Sequence, residues 1–239
     1  AEFNCGQGST TFGMVSNRNS AGVQSVAMGF YAGENTGQQS VSIGAYSNRN
    51  ATAGSGAYSC NIGISSAVSG SNIGDVNIGY YANSQAVANG KTAQRGVNIG
   101  WQAGQLQDSA TGDDVITIGT LAGKGAGMGQ SSIAIGRDAG YGNIFGNGTP
   151  CGQNSIAIGH RCLANGTNSA DGSVVIGAYI GQQVGGAGSN VIALHGNCNG
   201  ALLDIPNSSA FYVKPIRAKG AEGGFTPLYY NTTTGEICW

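Results

Sequence analysis

The stretch SIAIG at Ser132–Gly136 occurs again, letter for letter, at Ser155–Gly159. The same order of residues recurs along most of the chain: a small or polar residue, Val or Ile, any residue, an aliphatic residue and Gly. Clear copies are SVAMG at Ser25–Gly29, SVSIG at Ser40–Gly44, DVNIG at Asp75–Gly79 and SVVIG at Ser173–Gly177, and weaker ones end at Gly63, Gly100, Gly119 and His195. A unit repeated in this way predicts a repeat protein in which each copy forms one coil.

Within each copy the pattern V-x-I alternates with period two. This alternation places both aliphatic side chains on one face of a β-strand, and the Gly that follows allows a corner that β-branched residues disfavour. A second short motif after the Gly, such as YYAN at 80–83 or RDAG at 137–140, predicts a second strand. A helix is excluded, because each internal Gly costs about 1 kcal/mol relative to Ala. We therefore predict an all-β parallel solenoid of about ten coils.

One such coil cannot be stable by itself. Burying one Val, one Ile and one Ala contributes roughly 4–7 kcal/mol, whereas ordering the backbone costs on the order of 1–2 kcal/mol per residue. Stacking of coils adds hydrogen-bond ladders and a continuous apolar column. Because the roll is thin, we expect three identical rolls to associate in parallel as a homotrimer.

Composition limits the possible partners. The chain has 239 residues, of which 44 are Gly and 9% are charged, and its formal net charge is −1. This balance gives no electrostatic footprint for nucleic acid or for an anionic membrane. No apolar stretch reaches the roughly 18 residues of a membrane span, so membrane insertion is not expected.

The six cysteines include no C-x-x-C pair, so we expect neither a zinc site nor any cofactor. Cys60 occupies the Val position of its repeat and Cys162 a position usually held by Ala, so both are predicted to behave as small buried apolar residues. Cys151 and Cys162 bracket one repeat. We expect free thiols, with a bridge between these two as the alternative.

The repeat closely resembles the left-handed parallel β-roll of trimeric autotransporter adhesin heads and similar rolls of viral tail fibres. The resemblance covers roughly 23–196 and implies a left-handed β-roll. Coils are nearly constant in those heads, whereas the copies here are 15 residues apart from Gly29 to Gly44 and 23 apart from Gly136 to Gly159. We expect a lead-in or expression remnant with a first poor coil over 1–20, the β-roll over 21–200, and a small β cap over 201–239.

The C-terminal segment has a different pattern. The runs FYVKPIR at Phe211–Arg217 and LYYNTTTGEICW at Leu228–Trp239 predict strands, with a turn at Asn231–Gly235. They resemble the stretch that precedes the endosialidase-type intramolecular chaperone of phage tail fibres, which helps the fibre to trimerise and is then cleaved off. The resemblance implies a location in the virion, extracellular when acting, with the chaperone removed or left out here.

Candidate catalytic groups are few. The acidic residues show no shared spacing, whereas a glycosidase needs two carboxylates at a defined separation. We interpret Asp113 and Asp114 as a solvated loop edge rather than a metal or acid site. His160 follows a repeat Gly and is interpreted as an exposed position of a side-chain ladder rather than a base. His195 replaces a corner Gly and marks the end of the roll.

Aromatic residues follow the repeat Gly by one or two positions and are the predicted binding residues. They are Phe30, Tyr31, Tyr46, Tyr80, Tyr81, Trp101 and Tyr179. Stacked coils would align several of them. Their faces, with polar neighbours, suit stacking on sugars; alternatively the rings pack on each other to close the roll or the trimer.

The predicted function is the structural and receptor-binding part of a phage tail fibre, without catalysis. Its partners would be further copies of the chain, the rest of the fibre, and a host-surface glycan or protein. One alternative is a tailspike-like polysaccharide depolymerase, which requires clustered carboxylates. The other is a bacterial trimeric adhesin head, which the C-terminal segment disfavours because no coiled-coil heptads follow the repeats.

Overall fold

A computed structural model describes residues 7–16, 23–34, 37–49, 57–67, 73–84, 95–105, 113–125, 128–142, 151–164, 170–181, 189–196, 203, 208–214, 229–230 and 237–238. All regular structure in these ranges is β-strand. The strands are β1 (Thr10–Phe12), β2 (Val26–Met28), β3 (Val41–Ile43), β4 (Cys60–Ile62), β5 (Val76–Ile78), β6 (Val97–Ile99), β7 (Ile116–Ile118), β8 (Ile133–Ile135), β9 (Ile156–Ile158), β10 (Val174–Gly177), β11 (Ile192–His195), β12 (Phe211–Lys214), β13 (Tyr229–Tyr230) and β14 (Ile237–Cys238).

Strands β1 to β12 form one parallel sheet in chain order, each paired with the next coil. Equivalent repeat positions are in register, so that Val76 pairs with Val97 and Ile78 with Ile99. At about 4.8 Å per strand, twelve strands extend for roughly 50 Å along the axis. The predicted parallel β-solenoid is therefore confirmed. No helix in the described ranges is long and apolar enough to cross a membrane.

The repeat strands bury their central residue inside the roll, not the aliphatic pair. In β5, Asn77 is fully buried, whereas Val76 and Ile78 are half-buried on the opposite face. The opposite wall of the coil leaves little room: a Cβ on Gly140 would lie 3.2 Å from the Cβ of Ala134. The alternation predicted correctly that the two aliphatic residues share a face. The expectation that they form the core of the single roll is wrong.

The central column divides into two parts. The polar interior comprises Asn61, Asn77, Asn98 and Thr117 of β4 to β7, all buried. Asn77 donates to Asn61 at 2.9 Å, Asn98 donates to Asn77 at 2.9 Å, and the Thr117 hydroxyl donates to Asn98 at 2.6 Å. An amide side chain carries both donor and acceptor, so Asn77 and Asn98 each bond to the coils on both sides. At the ends of the ladder, Asn61 donates to Ser59 of its own coil and Thr117 bonds, among the described residues, only to Asn98.

The apolar interior begins at Val115, directly before β7, and the central residues themselves are apolar from β8 onward. Its buried residues form one cluster: Val115, Met128, Ala134, Ala139, Cys151, Ala157, Cys162, Leu163, Ala170, Val175, Ile180, Val191 and Ala193. Leu203 and Tyr212 pack against this cluster. The thiols of Cys60, Cys151 and Cys162 are free, which confirms the preferred expectation for the latter two. Cys162 is buried as predicted, whereas Cys60 is only half-buried.

The corner Gly is required by both conformation and space. Gly29 has φ +134°, and a Cβ there would lie 2.7 Å from the carbonyl oxygen of Gly44 in the next coil. The same stacking of corners recurs along the roll. At its end, His195 occupies the corner position without a positive φ, and its ring Nδ1 lies 2.7 Å from the carbonyl oxygen of Ala178.

The motif after each corner Gly is a turn rather than the predicted second strand. Its second and fourth residues are left-handed, as in Tyr81 (φ 55°) and Asn83 (φ 47°). An alternation of this kind cannot form a pleated strand. Its amides still bond between coils: that of Tyr81 donates to the Ile64 carbonyl at 3.0 Å, and that of Asn83 to the Ala103 carbonyl at 2.8 Å.

The sheet includes the poor first coil predicted within 1–20 and continues into the predicted cap region. In the predicted lead-in, β1 pairs with β2, and in the predicted cap region β12 pairs in parallel with β11. The first predicted C-terminal run contains β12, and the second contains both β13 and β14, which pair antiparallel with each other. The predicted turn at Asn231–Gly235 lies outside the described residues. The domain division at 200/201 stays a prediction.

Candidate functional site

Two neighbouring columns of side chains follow the corner Gly and form the candidate site. We call them the first and second ridge columns. The first comprises Phe30, Ala45, Ile64, Tyr80, Trp101, Thr120, Arg137, His160 and Ala178; the second comprises Tyr31, Tyr46, Ser65, Tyr81, Gln102, Leu121, Asp138, Arg161 and Tyr179. Backbone bonds tie them between coils: the Tyr46 amide donates to the Phe30 carbonyl at 2.8 Å.

We number each coil by the strand it contains, so that coil two contains β2. The aromatic residues of coils two and three form one cluster. The rings of Phe30 and Tyr31 are 4.6 Å apart edge to face, and Tyr31 stacks on Tyr46 at 5.8 Å. The Arg49 guanidinium lies over both tyrosines, 5.3 Å from the Tyr31 ring centre and 4.9 Å from that of Tyr46. Its Nε lies 3.4 Å from a carboxylate oxygen of Glu34. Much of this ring surface therefore packs within the cluster.

The aromatic residues of coils five and six are more open. Tyr80 and Tyr81 pack edge to face with ring centres 4.4 Å apart. Tyr80 is 43% exposed and Trp101, in the next coil of the same column, is 47% exposed. The small Ser65 and the exposed Ile64 separate this group from the Phe30 cluster. The prediction that stacked coils align several aromatic residues is confirmed in these two groups.

The last predicted residue, Tyr179, lies in a different environment. Its ring packs against His160 at 4.9 Å. Around Asp138 lie the Nε atoms of Arg137 and Arg161, each 3.5 Å from its Oδ2, and Nε2 of His160 at 3.9 Å. Sequence reasoning missed the two arginines, although both occupy ridge columns in adjacent coils, which is the signal that would have found them.

The exposure and electrostatics of His160 differ from the prediction of an exposed ladder position. Its side chain is 31% exposed, and its Nε2 atom is buried with no hydrogen-bond partner in the part of the chain that the structure describes. Burial lowers the pKa of His160, and the positive charges of Arg137 and Arg161 lower it further. The imidazole is therefore neutral near pH 7 in a locally positive field.

The remaining candidate groups are ion-paired or buried. Asp113 and Asp114 bind the exposed Arg95 at 3.2 and 2.7 Å, and the hydrogen bond from Arg95 lowers the pKa of Asp114. Asp75 is fully buried and accepts a 2.7 Å hydrogen bond from the Gly96 amide. Over the described ranges, no group of three or more His, Cys, Asp or Glu residues could hold a metal ion.

Fold and site together define this chain as a parallel β-solenoid with an aliphatic outer sheet face and two ridge columns. No protein-family model matches the chain, and neither a curated protein nor a solved structure matches it.

Proposed function

We propose that this protein is the structural and receptor-binding part of a viral tail fibre, acting as a parallel homotrimer and without catalysis. The observation that carries the proposal is the outer face of the sheet. It consists of the first and third residues of β2 to β11: Val26, Met28, Val41, Ile43, Cys60, Ile62, Val76, Ile78, Val97, Ile99, Ile116, Ile118, Ile133, Ile135, Ile156, Ile158, Val174, Ile176, Ile192 and Leu194. We call it the outer aliphatic face.

The outer aliphatic face is suited to association with copies of the same chain. It contains no charged residue, and Met28, Ile176 and Ile192 are 40%, 40% and 50% exposed. Monomeric proteins rarely leave so long an apolar surface in water. A parallel copy presents the same columns at the same spacing, and each side chain that loses its remaining exposure gains on the order of 1 kcal/mol. Three copies would cover this face on each roll.

Association is tested by light scattering after size exclusion. The monomer mass is 23.8 kDa, and we expect a particle of three times that mass for the natural sequence. Ile118→Lys places a charge on the outer aliphatic face and should abolish the trimer. Thr120→Lys, two residues along in the same coil but in the first ridge column, should leave it intact. A monomeric natural chain, or a trimer unaffected by Ile118→Lys, would contradict the proposal.

Receptor binding is the second half of the proposal. The exposed pair Tyr80 and Trp101 supports it, because aromatic faces open to solvent suit sugar rings and protein side chains alike. The assignment to a virus rests on the resemblance of the repeat and of the C-terminal runs.

Binding is tested with fluorescently labelled protein on a panel of bacterial cells. We expect binding to particular strains and at least tenfold weaker binding by Trp101→Ala. Tyr58→Ala is the matched control, because Tyr58 is 61% exposed but lies outside the ridge columns. Release of sugar fragments from the cell-surface polysaccharide would instead favour a depolymerase.

A further inference from the structure

The positive cluster at coils eight to ten has an unusual charge balance for this chain. The whole sequence contains ten Lys and Arg residues and two His. Where other arginines are described, carboxylates match or outnumber them: Arg49 contacts Glu34, and Arg95 contacts both Asp113 and Asp114. At coils eight to ten, two arginines and a histidine share one carboxylate.

The geometry leaves the guanidinium groups available. The side chain of Asp138 lies beneath the two arginines and is only 13% exposed. The side chains of Arg137 and Arg161 are 61% and 43% exposed. Each arginine approaches Asp138 through Nε. Among the described residues, the terminal nitrogens of both guanidinium groups have no hydrogen-bond acceptor. Two guanidinium groups with open donors match the planar oxygens of a carboxylate or the oxygens of a sulfate.

The backbone holds these side chains in fixed relative positions. The Arg161 amide donates to the Arg137 carbonyl at 2.9 Å, and the Tyr179 amide to the His160 carbonyl at 2.9 Å. The half-buried Tyr179 ring packs edge to face on the His160 ring, with an angle of 61° between their planes. An aromatic ring beside paired cations suits a ligand that is both a ring and an anion.

We infer that the cluster of Arg137, Asp138, His160, Arg161 and Tyr179 binds the carboxylate or sulfate group of an acidic saccharide. The two arginines bind the anion, Tyr179 contacts the sugar ring, and Asp138 keeps the arginines in place when no ligand is bound. As a receptor site the inference rests on the proposed function. The cluster's affinity for acidic sugars can nevertheless be measured without any host cell.

The test uses three polymers with one backbone: dextran, carboxymethyl-dextran and dextran sulfate of equal chain length. We expect at least tenfold tighter binding of a charged polymer than of dextran. The double variant Arg137→Gln/Arg161→Gln should lose at least tenfold of this affinity, whereas Arg95→Gln, which removes an exposed arginine elsewhere, should not. A preference for one charged polymer identifies the carboxylate or the sulfate as the recognised group. Equal binding by the double variant, or no binding of either charged polymer, would overturn the inference.

A second readout detects the anion beside His160 directly. In NMR spectra of protein labelled in its histidine rings, only two histidines give signals, because the sequence contains two. The variant His160→Gln assigns the signal of each. A bound anion offsets the field of the arginines, so the pKa of His160 should rise by about 0.5 unit or more; an unchanged pKa with bound polymer would place the anion elsewhere and contradict the inference. If the natural chain bound no cells but still bound the charged polymers, the proposed function would be contradicted and the inference would not. Cell binding that the double variant retains in full would sink the inference alone.

Discussion

The polar interior and the apolar interior lie in different coils that share one repeat pattern, but they are stabilised differently. From β4 to β7, hydrogen bonds join the central side chains of successive coils, from Asn61 to Thr117. From β8 to β11 the central residues are Ala134, Ala157, Val175 and Ala193, which pack with other apolar side chains. The backbone ladder and corner are alike in both parts. The repeat therefore fixes the coil, while the central residue decides what fills it.

The two interiors place different demands on their neighbours. A buried amide needs a matching donor or acceptor in both adjacent coils, because an unsatisfied buried polar group costs about 1–3 kcal/mol. An apolar interior needs only the right volume. The polar interior is therefore the part that specifies which coil stacks on which. At its N-terminal side, Ser42 of β3 is buried with no hydrogen-bond partner among the described residues, so the ladder does not extend that far.

The largest expected effect comes from placing a polar residue in the apolar interior. Ala157→Asn puts an amide between Ala134 and Val175, neither of which can bond to it. The unpaired amide and the added volume should together lower the free energy of unfolding by about 4 kcal/mol. Urea unfolding followed by circular dichroism, at one protein concentration, measures it. Ala157→Ser, which adds one atom, should cost clearly less; equal losses would show that volume is not limiting here.

A smaller loss is expected from interrupting the polar interior. Asn98→Ala leaves the side-chain Oδ1 of Asn77 without its donor and the Thr117 hydroxyl without its acceptor. We expect the free energy of unfolding to fall by about 3 kcal/mol. Thr117→Val removes one of these partners, so the double variant should cost less than the sum of the two single changes. Additive losses would mean that the two side chains do not form one network.

Much of the fold is predictable from the sequence because the repeat is strongly periodic. Alternation in VNI at Val76–Ile78 correctly predicts a strand and the shared face of Val76 and Ile78. It does not reveal which face is inside, because alternation reports what shares a side and not what covers it. The turn after each Gly was also missed, because its second residue, such as Tyr81, carries no signal for a positive φ. The fourth position does carry one, since it is Asn or Gly in most coils, as at Asn83 and Gly104.

The candidate site is predictable only in part. Position after the corner Gly correctly brought Phe30, Tyr31 and Tyr46 together, since adjacent coils stack equivalent positions. The contact of Arg137 and Arg161 with Asp138 was missed because the arginines are 24 positions apart in the sequence and lie in different ridge columns, so it emerges only when the two adjacent coils are placed side by side. Whether the aromatic groups bind a receptor stays a prediction.

Asp75 is a carboxyl group buried beside the polar interior. It occupies the position before the strand where other coils have Ser, as at Ser40 and Ser132. It accepts hydrogen bonds from the backbone amide of Gly96 at 2.7 Å and from the side-chain Nδ2 of Asn83 at 3.3 Å. Burial raises the pKa of Asp75 to about 7 from 3.8, an effect that the Gly96 hydrogen bond opposes; of the nearby charges, Asp113 raises it and Arg95 lowers it.

Because this pKa is higher in the folded state, the folded chain binds more protons than the unfolded chain between about pH 4 and pH 7. The free energy of unfolding should therefore fall as the pH rises through this window, by about 3 kcal/mol between pH 4.5 and pH 8. Asp75→Ser should remove this fall and be more stable than the natural chain at pH 8, which urea unfolding at pH 4.5, 6 and 8 would measure. Asp114→Ser is the control with the opposite sign: the pKa of Asp114 is lowered, so its contribution is present at pH 8 and disappears on acidification. If Asp75→Ser gave the same pH profile as the natural chain, the buried carboxyl would not titrate in this window, and the polar interior would tolerate a charge that the apolar interior could not.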